Sequence, residues 1–412
     1  MSTAVQTPSV GIAGQPTTRV VSVDIFRGLV MALMIFVNEL ASVRGLPWWN
    51  YHMKANIDAM TYVDMVYPAF LFIVGMAIPL AVRARLKKDA SIPKLWLHVL
   101  LRSFSLIVMG LMLANARKGD PALMGLSTNA WVLLGLLGAV LYWSIYTGPG
   151  EQVWMRRARQ FAGLALMIAM YAIFRRMTRD GHIGWIDGRY PEILGLIGYT
   201  YLAACILYIP TRRWIWAPVG WFVALTALCA FSTAGWLGLG FTRHVPLYFF
   251  PFGNGAMASI TMAGVVTSSI FLSGHRWQET RQKLLFAAAF AYATLVAGWL
   301  MTPLGISKIR ATPTWCLYSI GASVLLFTAL YWICDVKKKT AWASFARPAG
   351  SNTLLTYLLP DFYYFLVAWL GFTYFDHHYN FGWQGTVRAV VFTAIMLALS
   401  WGLTRCRVRM QL

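Results

Sequence analysis

Apolar runs of about twenty residues recur along the whole chain, and short polar or basic segments separate them. An α-helix of that length crosses the ~30 Å hydrocarbon core of a bilayer, whereas the strands of a membrane barrel are shorter and alternate. The pattern therefore predicts an all-α fold, a polytopic transmembrane helical bundle of about 12 helices (10–12). The spans are expected near residues 22–41, 63–82, 96–115, 128–147, 160–176, 192–210, 217–235, 254–274, 284–302, 315–334, 351–372 and 387–404.

The chain divides into a short polar tail and one membrane domain. Residues 1–18 are rich in Ser, Thr, Gly, Pro and Val and show no periodicity, which is typical of a disordered segment. The apolar stretch that follows carries charged residues and is too long for the core of a signal peptide. We therefore expect a cytoplasmic tail at 1–18 and a single transmembrane domain at 19–412.

The composition agrees with a membrane location. Of the 412 residues, 58% are hydrophobic and 12% are charged, whereas a soluble chain is about half apolar and a quarter charged. Aromatic residues make up 15% of the chain, which suits the two lipid–water interfaces. The five cysteines are scattered without CxxC spacing, so the sequence predicts neither a disulfide framework nor a zinc or other metal site.

The net charge of +21 comes from basic residues in the short loops between apolar runs. Neither a basic domain nor an aromatic RNA-binding signature accompanies it, so no nucleic-acid partner is expected. One set of alternate loops holds about twice as many Lys and Arg as the other, and this excess marks the cytoplasmic side. With an even number of spans, the N-terminus and the C-terminus are then both cytoplasmic. The basic loop from Arg175 to Arg189 is an exception, because it falls on the outer side.

Charged residues within the spans are candidates for function, since a charge in hydrocarbon is costly and faces a partner or a cavity. Asp24 and Arg27 lie three residues apart at the inner end of the first helix, where a structural ion pair is an equal alternative. Asp64 opens the second helix and could simply cap it. Arg102 lies in the third helix near its inner end and could snorkel to the interface.

Three further polar residues are candidates, two in the outer half of the bundle and one at mid-depth. Asn38 and Glu39 occupy the outer end of the first helix, roughly 21 Å from Asp24 at 1.5 Å per residue. Asp361 directly follows Pro360 in the middle of the eleventh span. A proline there frees a backbone carbonyl, and irregular backbone at membrane depth lines a cavity. Glu39 and Asp361 are therefore predicted to contact a substrate.

The predicted outer loops contain histidines together with many Trp and Tyr. Imidazole and aromatic faces suit a sugar-like or amine acceptor, although aromatic residues at this depth also serve as interface anchors. A loop histidine framed by the first two helices is the strongest candidate for a catalytic base, because a neutral imidazole accepts a proton near neutral pH. Packing beside the neighbouring Trp and Tyr is its alternative role. The histidines in question are His52, the framed one, and His182, His244, His377 and His378.

The first eighty residues contain a series of motifs in a fixed order. VDIFRG begins at Val23, VNEL at Val37 and VDMVYPAFLFIVG at Val63, with His52 between the last two, and the stretch ends near Leu80. This series resembles the heparan-α-glucosaminide N-acetyltransferase family and its bacterial relatives. That family has a VDxxRG opening, a VN later in the same helix, a loop histidine and a (V/A)DLVFPxFxFxxG helix.

The resemblance continues more weakly along the rest of the chain. RSFSLIVMG at 102–110, YPEILGLIGYTYL at 190–202 and GSNTLLTY at 350–357 look like helices of that family, and GISKIRATPTW stands where the family has PxNKxLW. The run at 251–267 resembles the family's PEGxLGT helix but lacks its acidic residue. Two apolar spans, near 128–147 and 160–176, look inserted. These departures leave the acceptor open.

The resemblance implies an acyltransferase domain that takes an acetyl group from cytosolic acetyl-CoA and passes it to the amino group of a glucosamine across a bacterial inner (plasma) membrane. Acetyl-CoA is then a co-substrate, no metal is needed, and the partners are an amino-sugar or glycan acceptor and membrane lipids; a homodimer is left open. His52 would act as the base. From the chemistry alone, Asp64 would orient its imidazole and Asn38 would donate to the thioester oxygen.

The donor is expected at the inner mouth. Arg27 and Arg102, with Asp24 beside them, are the nearest groups for the phosphates of CoA. Lys308 and Asn352 are further candidates for donor binding, chosen from the partial motif matches.

Two other functions stay open at this stage. A secondary transporter for an amino sugar would also need midplane charges and broken helices, but the chain shows no clear internal repeat. An acyltransferase with a longer acyl donor or a hydroxyl acceptor on a glycan or lipid would share the whole scaffold. An assay of acetyl-CoA turnover separates an enzyme from a carrier.

Overall fold

The computed structural model describes residues 20–146, 152–237, 252–272 and 279–410. The tail predicted at 1–18 and His244 lie outside these ranges.

The described chain is mainly helical, with very little sheet. Short 3₁₀ turns occur at Trp48–Asn50, Thr302–Leu304 and Ala341–Ala343, and a π-helical turn at Trp332–Val336 continues one of the long helices. In chain order the helices are α1 (Val21–Leu40), α2 (Tyr62–Lys88), α3 (Ile92–Asn115), α4 (Pro121–Met124), α5 (Thr128–Trp143), α6 (Val153–Ile173), α7 (Glu192–Thr211), α8 (Ala217–Thr233), α9 (Ala256–Leu272), α10 (Thr280–Leu300), α11 (Pro313–Tyr331), α12 (Arg347–Ser351), α13 (Thr353–Trp369), α14 (Tyr374–His377) and α15 (Gly382–Arg405).

The described strands form two small antiparallel pairs. Strand β1 (Ser144–Tyr146) pairs with β4 (Val408–Met410), with Ser144 opposite Met410. Strands β2 (Arg176–Met177) and β3 (Ile183–Gly184) form a hairpin between α6 and α7. The β1–β4 pair matters for the site described below, because it holds the segment that follows α15 against the end of α5.

Each predicted span overlaps one of these helices, so the all-α class is confirmed. In the described ranges, seven helices are long and apolar enough to cross a membrane; they are α1, α2, α3, α7, α10, α15 and α11 with its π-helical turn. Shorter apolar helices are α5, α8 and α9. These are the features of an integral membrane protein. The number of crossings and the side on which the termini lie stay predictions.

The helices approach closely where glycines remove a side chain. A Cβ on Gly75 in α2 would lie 1.8 Å from the carbonyl oxygen of Thr261 in α9, and one on Gly264 would lie 2.0 Å from that of Phe72. In lipid there is little hydrophobic drive between helices, so backbone contacts at small residues supply the packing. The pair α2–α9 is thereby fixed at the centre of the bundle.

The bundle has two ends that differ in character. The loops at 41–61 and 301–312 meet at one end, which we call the histidine end, since Lys308 lies beside His52 there. At the opposite end, the arginine end, Val21 at the start of α1 and Arg405 at the end of α15 line the same cavity. The first and last long helices therefore share the arginine end.

Candidate active site

His52 and Asp64 form a hydrogen-bonded pair at the histidine end. The Nδ1 atom of His52 lies 2.7 Å from Oδ1 of Asp64. The aspartate side chain is 1% exposed, whereas the histidine side chain is 41% exposed. With Nδ1 donating to the carboxylate, Nε2 carries the lone pair and can accept a proton. The pair predicted from sequence is present in the structure.

The second carboxylate oxygen of Asp64 caps the helix that carries it. Oδ2 accepts the backbone N–H of Thr61 at 3.1 Å and that of Met53 at 3.3 Å. The Asp64 and Thr61 side chains together form a capping box at the start of α2. The buried indole N–H of Trp315 donates to the Asp64 backbone oxygen at 3.0 Å. The capping role and the role toward His52 thus coexist, one on each oxygen.

Lys308 completes a cluster of three with this pair. Its Nζ lies 3.4 Å from Nδ1 and from Nε2 of His52. Burial lowers the pKa of Lys308, and the carboxylates of Asp64 and Glu192 oppose that effect in part. A partly desolvated ammonium group therefore lies against the imidazole face.

The loop that carries Lys308 is tied to the loop that carries His52. Asp58 forms an ion pair with Arg310 and accepts the backbone N–H of Ile306 at 3.4 Å. Gly305 has a φ of +82°, and a Cβ there would lie 2.8 Å from the Asp58 carboxylate. The two loops are therefore held in register on both sides of Lys308.

Glu192 and Tyr357 extend the cluster toward the middle of the bundle. The Tyr357 hydroxyl on α13 donates to Oε2 of Glu192 at 3.2 Å. Glu192 begins α7 with a φ of +57°, a conformation that a non-glycine residue rarely adopts. Such strain persists where the surroundings enforce it, often in functional sites. Asp361, one turn after Tyr357 on the same face of α13, lies within electrostatic reach of Glu192.

A cavity of about 380 Å³ extends from the arginine end to Tyr357. Arg27, Arg85 and Arg102 line it together with Tyr357 and apolar side chains of α2, α3 and α7. The guanidinium of Arg102 lies 4.8 Å from the ring centre of Tyr201. The lining thus combines three arginines with a mostly apolar wall.

A second cavity, of about 740 Å³, adjoins the first at the arginine end. The two share Ser351 in their linings. Asp24, which lies 3.5 Å from Arg27, is the acidic residue of this wall. Its basic residues are Arg347, Arg405, Arg407 and Arg409.

Other predicted site residues lie elsewhere. Asn38 is exposed on α1, and the structure places no hydrogen bond between it and the His52–Asp64 pair in the described ranges. Glu39 is buried in a different contact, since its Oε1 lies 3.1 Å from Nε of Arg388 and its Oε2 accepts from the Tyr364 hydroxyl. Both residues lie outside the cluster.

Asn352 contributes to structure at the arginine end. Its amide donates to the Thr404 hydroxyl at 3.0 Å and to the Val408 carbonyl at 2.9 Å. Its oxygen accepts the backbone N–H of Met410 at 3.1 Å. The side chain is 1% exposed, so it anchors the last strand rather than facing the cavity. Lys308, also predicted to bind the donor, lies at the histidine end.

The remaining described histidines of the predicted outer loops are separate from this cluster. His182 lies in the exposed turn between β2 and β3, and His378 stacks on Tyr374 with ring centres 4.2 Å apart. In the described ranges no three His, Cys, Asp or Glu side chains are arranged to hold a metal ion.

Sequence reasoning missed three residues of the site. Glu192 and Tyr357 lie within YPEILG and GSNTLLTY, which were used only as motifs that resemble a family. A carboxyl group and a hydroxyl group within apolar segments could have identified both as candidate site residues. Arg85 follows the span predicted at 63–82, so the sequence pattern did not place it in a helix. It lies on α2, which continues to Lys88.

The fold and its site define a polytopic helical membrane protein with a His–Asp–Lys cluster at one end and arginine-lined cavities at the other. The family described as a domain of unknown function, DUF5009, matches residues 19–252, more than half of the chain. The chain belongs to that family.

Two relatives carry a named activity. Heparan-alpha-glucosaminide N-acetyltransferase of Mus musculus is 37% identical over 107 residues, which cover 24% of this chain and 16% of the mouse protein. The Homo sapiens protein of the same name is 37% identical over 97 residues, which cover 24% of this chain and 14% of the human protein. The predicted resemblance is confirmed over that part of the chain. The match spans a small fraction of each relative.

Proposed function

We propose that this protein is a transmembrane acetyltransferase that moves an acetyl group from cytosolic acetyl-CoA to the amino group of a glucosamine-like acceptor on the periplasmic side. One observation carries the proposal. A cavity that opens among arginines at one end of the bundle leads to Tyr357, whose hydrogen bond to Glu192 continues toward Lys308 and His52 at the other end. The names of the two relatives support the choice of an acetyl donor and an amino-sugar acceptor.

The donor enters from the arginine end, which the loop charges predict to be cytoplasmic. The larger cavity, with four arginines, suits the phosphates in the nucleotide part of CoA. Each guanidinium group can donate two parallel hydrogen bonds to the oxygens of one phosphate. The smaller cavity has a mostly apolar wall and suits the thin pantetheine arm. The thioester then lies at the Tyr357 end, within the bundle.

The transfer step uses the cluster at the histidine end. The amine nitrogen of the acceptor bonds to the acetyl carbon, and Nε2 of His52 takes the proton that this amine loses. Asp64 holds the ring and stabilises its protonated form. Lys308 faces the developing negative charge on the carbonyl oxygen. The carbon–sulfur bond breaks, the sulfur leaves as the CoA thiolate, and the proton held by His52 neutralises it, so free CoA and the acetylated amine result.

The acceptor approaches from the exposed side of His52. Trp48 and Trp49 precede it and are 61% and 51% exposed. Flat aromatic faces beside His52 suit the apolar face of a pyranose ring. The same two side chains also anchor the loop at the lipid–water interface.

The test is release of CoA thiol by the purified protein in lipid nanodiscs supplied with acetyl-CoA and glucosamine. We expect thiol release that depends on glucosamine, with N-acetylglucosamine as product. His52→Ala should bind CoA normally and lose the transfer, whereas His182→Ala is the matched control and should keep it. Glucosamine uptake into sealed vesicles without acetylation would instead identify a transporter and overturn the proposal.

A further inference from the structure

A basic pocket lies on the outer flank of the bundle near the arginine end, away from the cavities described above. Its volume is about 210 Å³. Arg83 near the end of α2 and Arg212 and Arg213 after α7 line it, together with Tyr208. Arg83 and Arg212 both act electrostatically on the Tyr208 hydroxyl, so the charges converge on one point.

Arg212 and Ser268 have hydrogen-bonding capacity to spare at this point. One N–H of Arg212 donates to the Ile209 carbonyl at 2.6 Å, and a guanidinium group has five N–H donors. Ser268, which is 1% exposed, also lines the pocket. In the part of the chain that the structure describes, its Oγ has no hydrogen-bond partner. A buried hydroxyl without a partner costs free energy unless a ligand or water satisfies it.

An apolar groove adjoins the basic pocket. The groove also has a volume of about 210 Å³ and runs between α8, α9 and α10, where Val266, Ala289 and Phe290 contribute to its walls. Its lining is almost wholly apolar and shares Ile215, Pro218 and Ser269 with the basic pocket. A ligand with an anionic head and an apolar chain would fill both without a gap.

Aromatic side chains place this double site at the level of a lipid headgroup. Trp214 and Trp216 are 70% and 62% exposed on either side of the shared wall, as expected for an aromatic belt at the membrane surface. The arginine end is the predicted cytoplasmic side, and the cytoplasmic leaflet is rich in anionic lipids.

We propose that this flank binds an anionic phospholipid, with the phosphate on Arg83, Arg212 and Arg213 and one acyl chain in the groove between α8, α9 and α10. The arginines bind the diester phosphate of the lipid through charge, and the groove binds the acyl chain by burying it. Neither contact alone is enough for preferred binding of the lipid. The inference needs only a membrane location and is independent of the proposed transfer reaction.

The test is native mass spectrometry of the delipidated protein, titrated with dioleoyl phosphatidylglycerol or with the zwitterionic phosphatidylcholine. The wild type should bind one phosphatidylglycerol in preference to phosphatidylcholine. Replacing both Arg212 and Arg213 by Gln should weaken that binding about fivefold or more for each charge. The Ala289→Trp variant, which fills the groove and keeps every charge, should weaken it as well.

Matched controls distinguish specific binding at this site from a general attraction of anionic lipid to basic residues. Arg156→Gln with Arg157→Gln removes the same charge from another exposed segment at the arginine end and should leave the preferred binding intact. Glycerol 3-phosphate should not displace the lipid. Equal weakening by the Arg156/Arg157 pair, wild-type binding in Ala289→Trp, or displacement by glycerol 3-phosphate would each overturn the proposal.

Discussion

Lys308 and His52 are 256 residues apart in the chain, yet Nζ of the lysine lies 3.4 Å from both ring nitrogens of the histidine. Two loops bring them together, and the Asp58–Arg310 ion pair holds those loops. The contact joins the last third of the chain to its first helix pair. It makes the charge of Lys308 part of the proposed chemistry.

The charge on Lys308 predicts how the rate depends on pH. Because burial lowers the pKa of this ammonium group, it loses its proton at a lower pH than an ordinary lysine. The rate should therefore fall as pH rises through that lowered pKa. Lys308→Arg stays charged across this range and should remove the alkaline decline, whereas Lys308→Gln should lower kcat by about 10²–10³. An unchanged alkaline decline in the arginine variant would show that another group titrates.

The two oxygens of Asp64 allow its catalytic and capping roles to be separated. In Asp64→Asn the amide oxygen can still cap α2, but the amide group can no longer hold His52 in the productive tautomer. We expect kcat to fall by about 10²–10⁴ with little change in CoA binding. Thr61→Ala is the control, because it weakens the cap by about 1 kcal/mol and should lower Tm while kcat stays near wild type. Comparable losses of kcat in both variants would mean that Asp64 acts through folding alone.

Arg102 is predicted to bind the donor without taking part in the bond changes. Arg102→Ala should raise KM for acetyl-CoA more than it lowers kcat, because it removes binding that ground state and transition state share. Steady-state kinetics at saturating acceptor measure this split. Arg156→Ala removes an exposed arginine outside both cavities and should change neither constant. Unaltered KM in Arg102→Ala would move the donor site.

The orientation in the membrane can be tested with single cysteines. Cys406 is exposed and must first be replaced by Ser. His182→Cys should then react with an impermeant maleimide in intact cells, and Lys87→Cys should react only after the cells are opened. Labelling of position 87 but not 182 in intact cells would reverse the orientation.

Close packing of α2 on α9 predicts that replacing two different glycines by alanine has very different effects on Tm. Gly75→Ala puts a methyl group 1.8 Å from a carbonyl oxygen, so the helices must separate. Overpacking of this kind costs about 1–3 kcal/mol, which should appear as a lower Tm in detergent. Gly220→Ala in α8 meets nothing within 4 Å and should be neutral or slightly stabilising. Equal Tm values for the two variants would contradict the packing.

Hydropathy located the helices well, because lipid forces the backbone into long helices wherever a span is needed. It could not assign faces in α1, since a helix that is apolar nearly all round shows no polar stripe. Asn38 and Glu39 were therefore both expected in the site. The structure exposes the first and pairs the second with Arg388.

The His52–Asp64 pair was predictable because both residues lie on one short connection between two helices, twelve residues apart. Lys308 was identified, but as a donor-binding residue and not as a neighbour of His52, since sequence spacing says nothing about contacts between distant loops. Arg85 was missed because hydropathy falls before a helix ends, so the basic last turns of α2 looked like a loop.

The last described strand has a consequence for biosynthesis. Met410 belongs to β4 and also forms part of the wall of the 380 Å³ cavity. Its backbone N–H is held by Asn352, and its partner strand follows α5. A ribosome must therefore translate the chain as far as Met410 before that compartment can close. A nascent chain arrested after α15 would contain all of the described long helices and would still lack one wall of the cavity where the donor is proposed to bind.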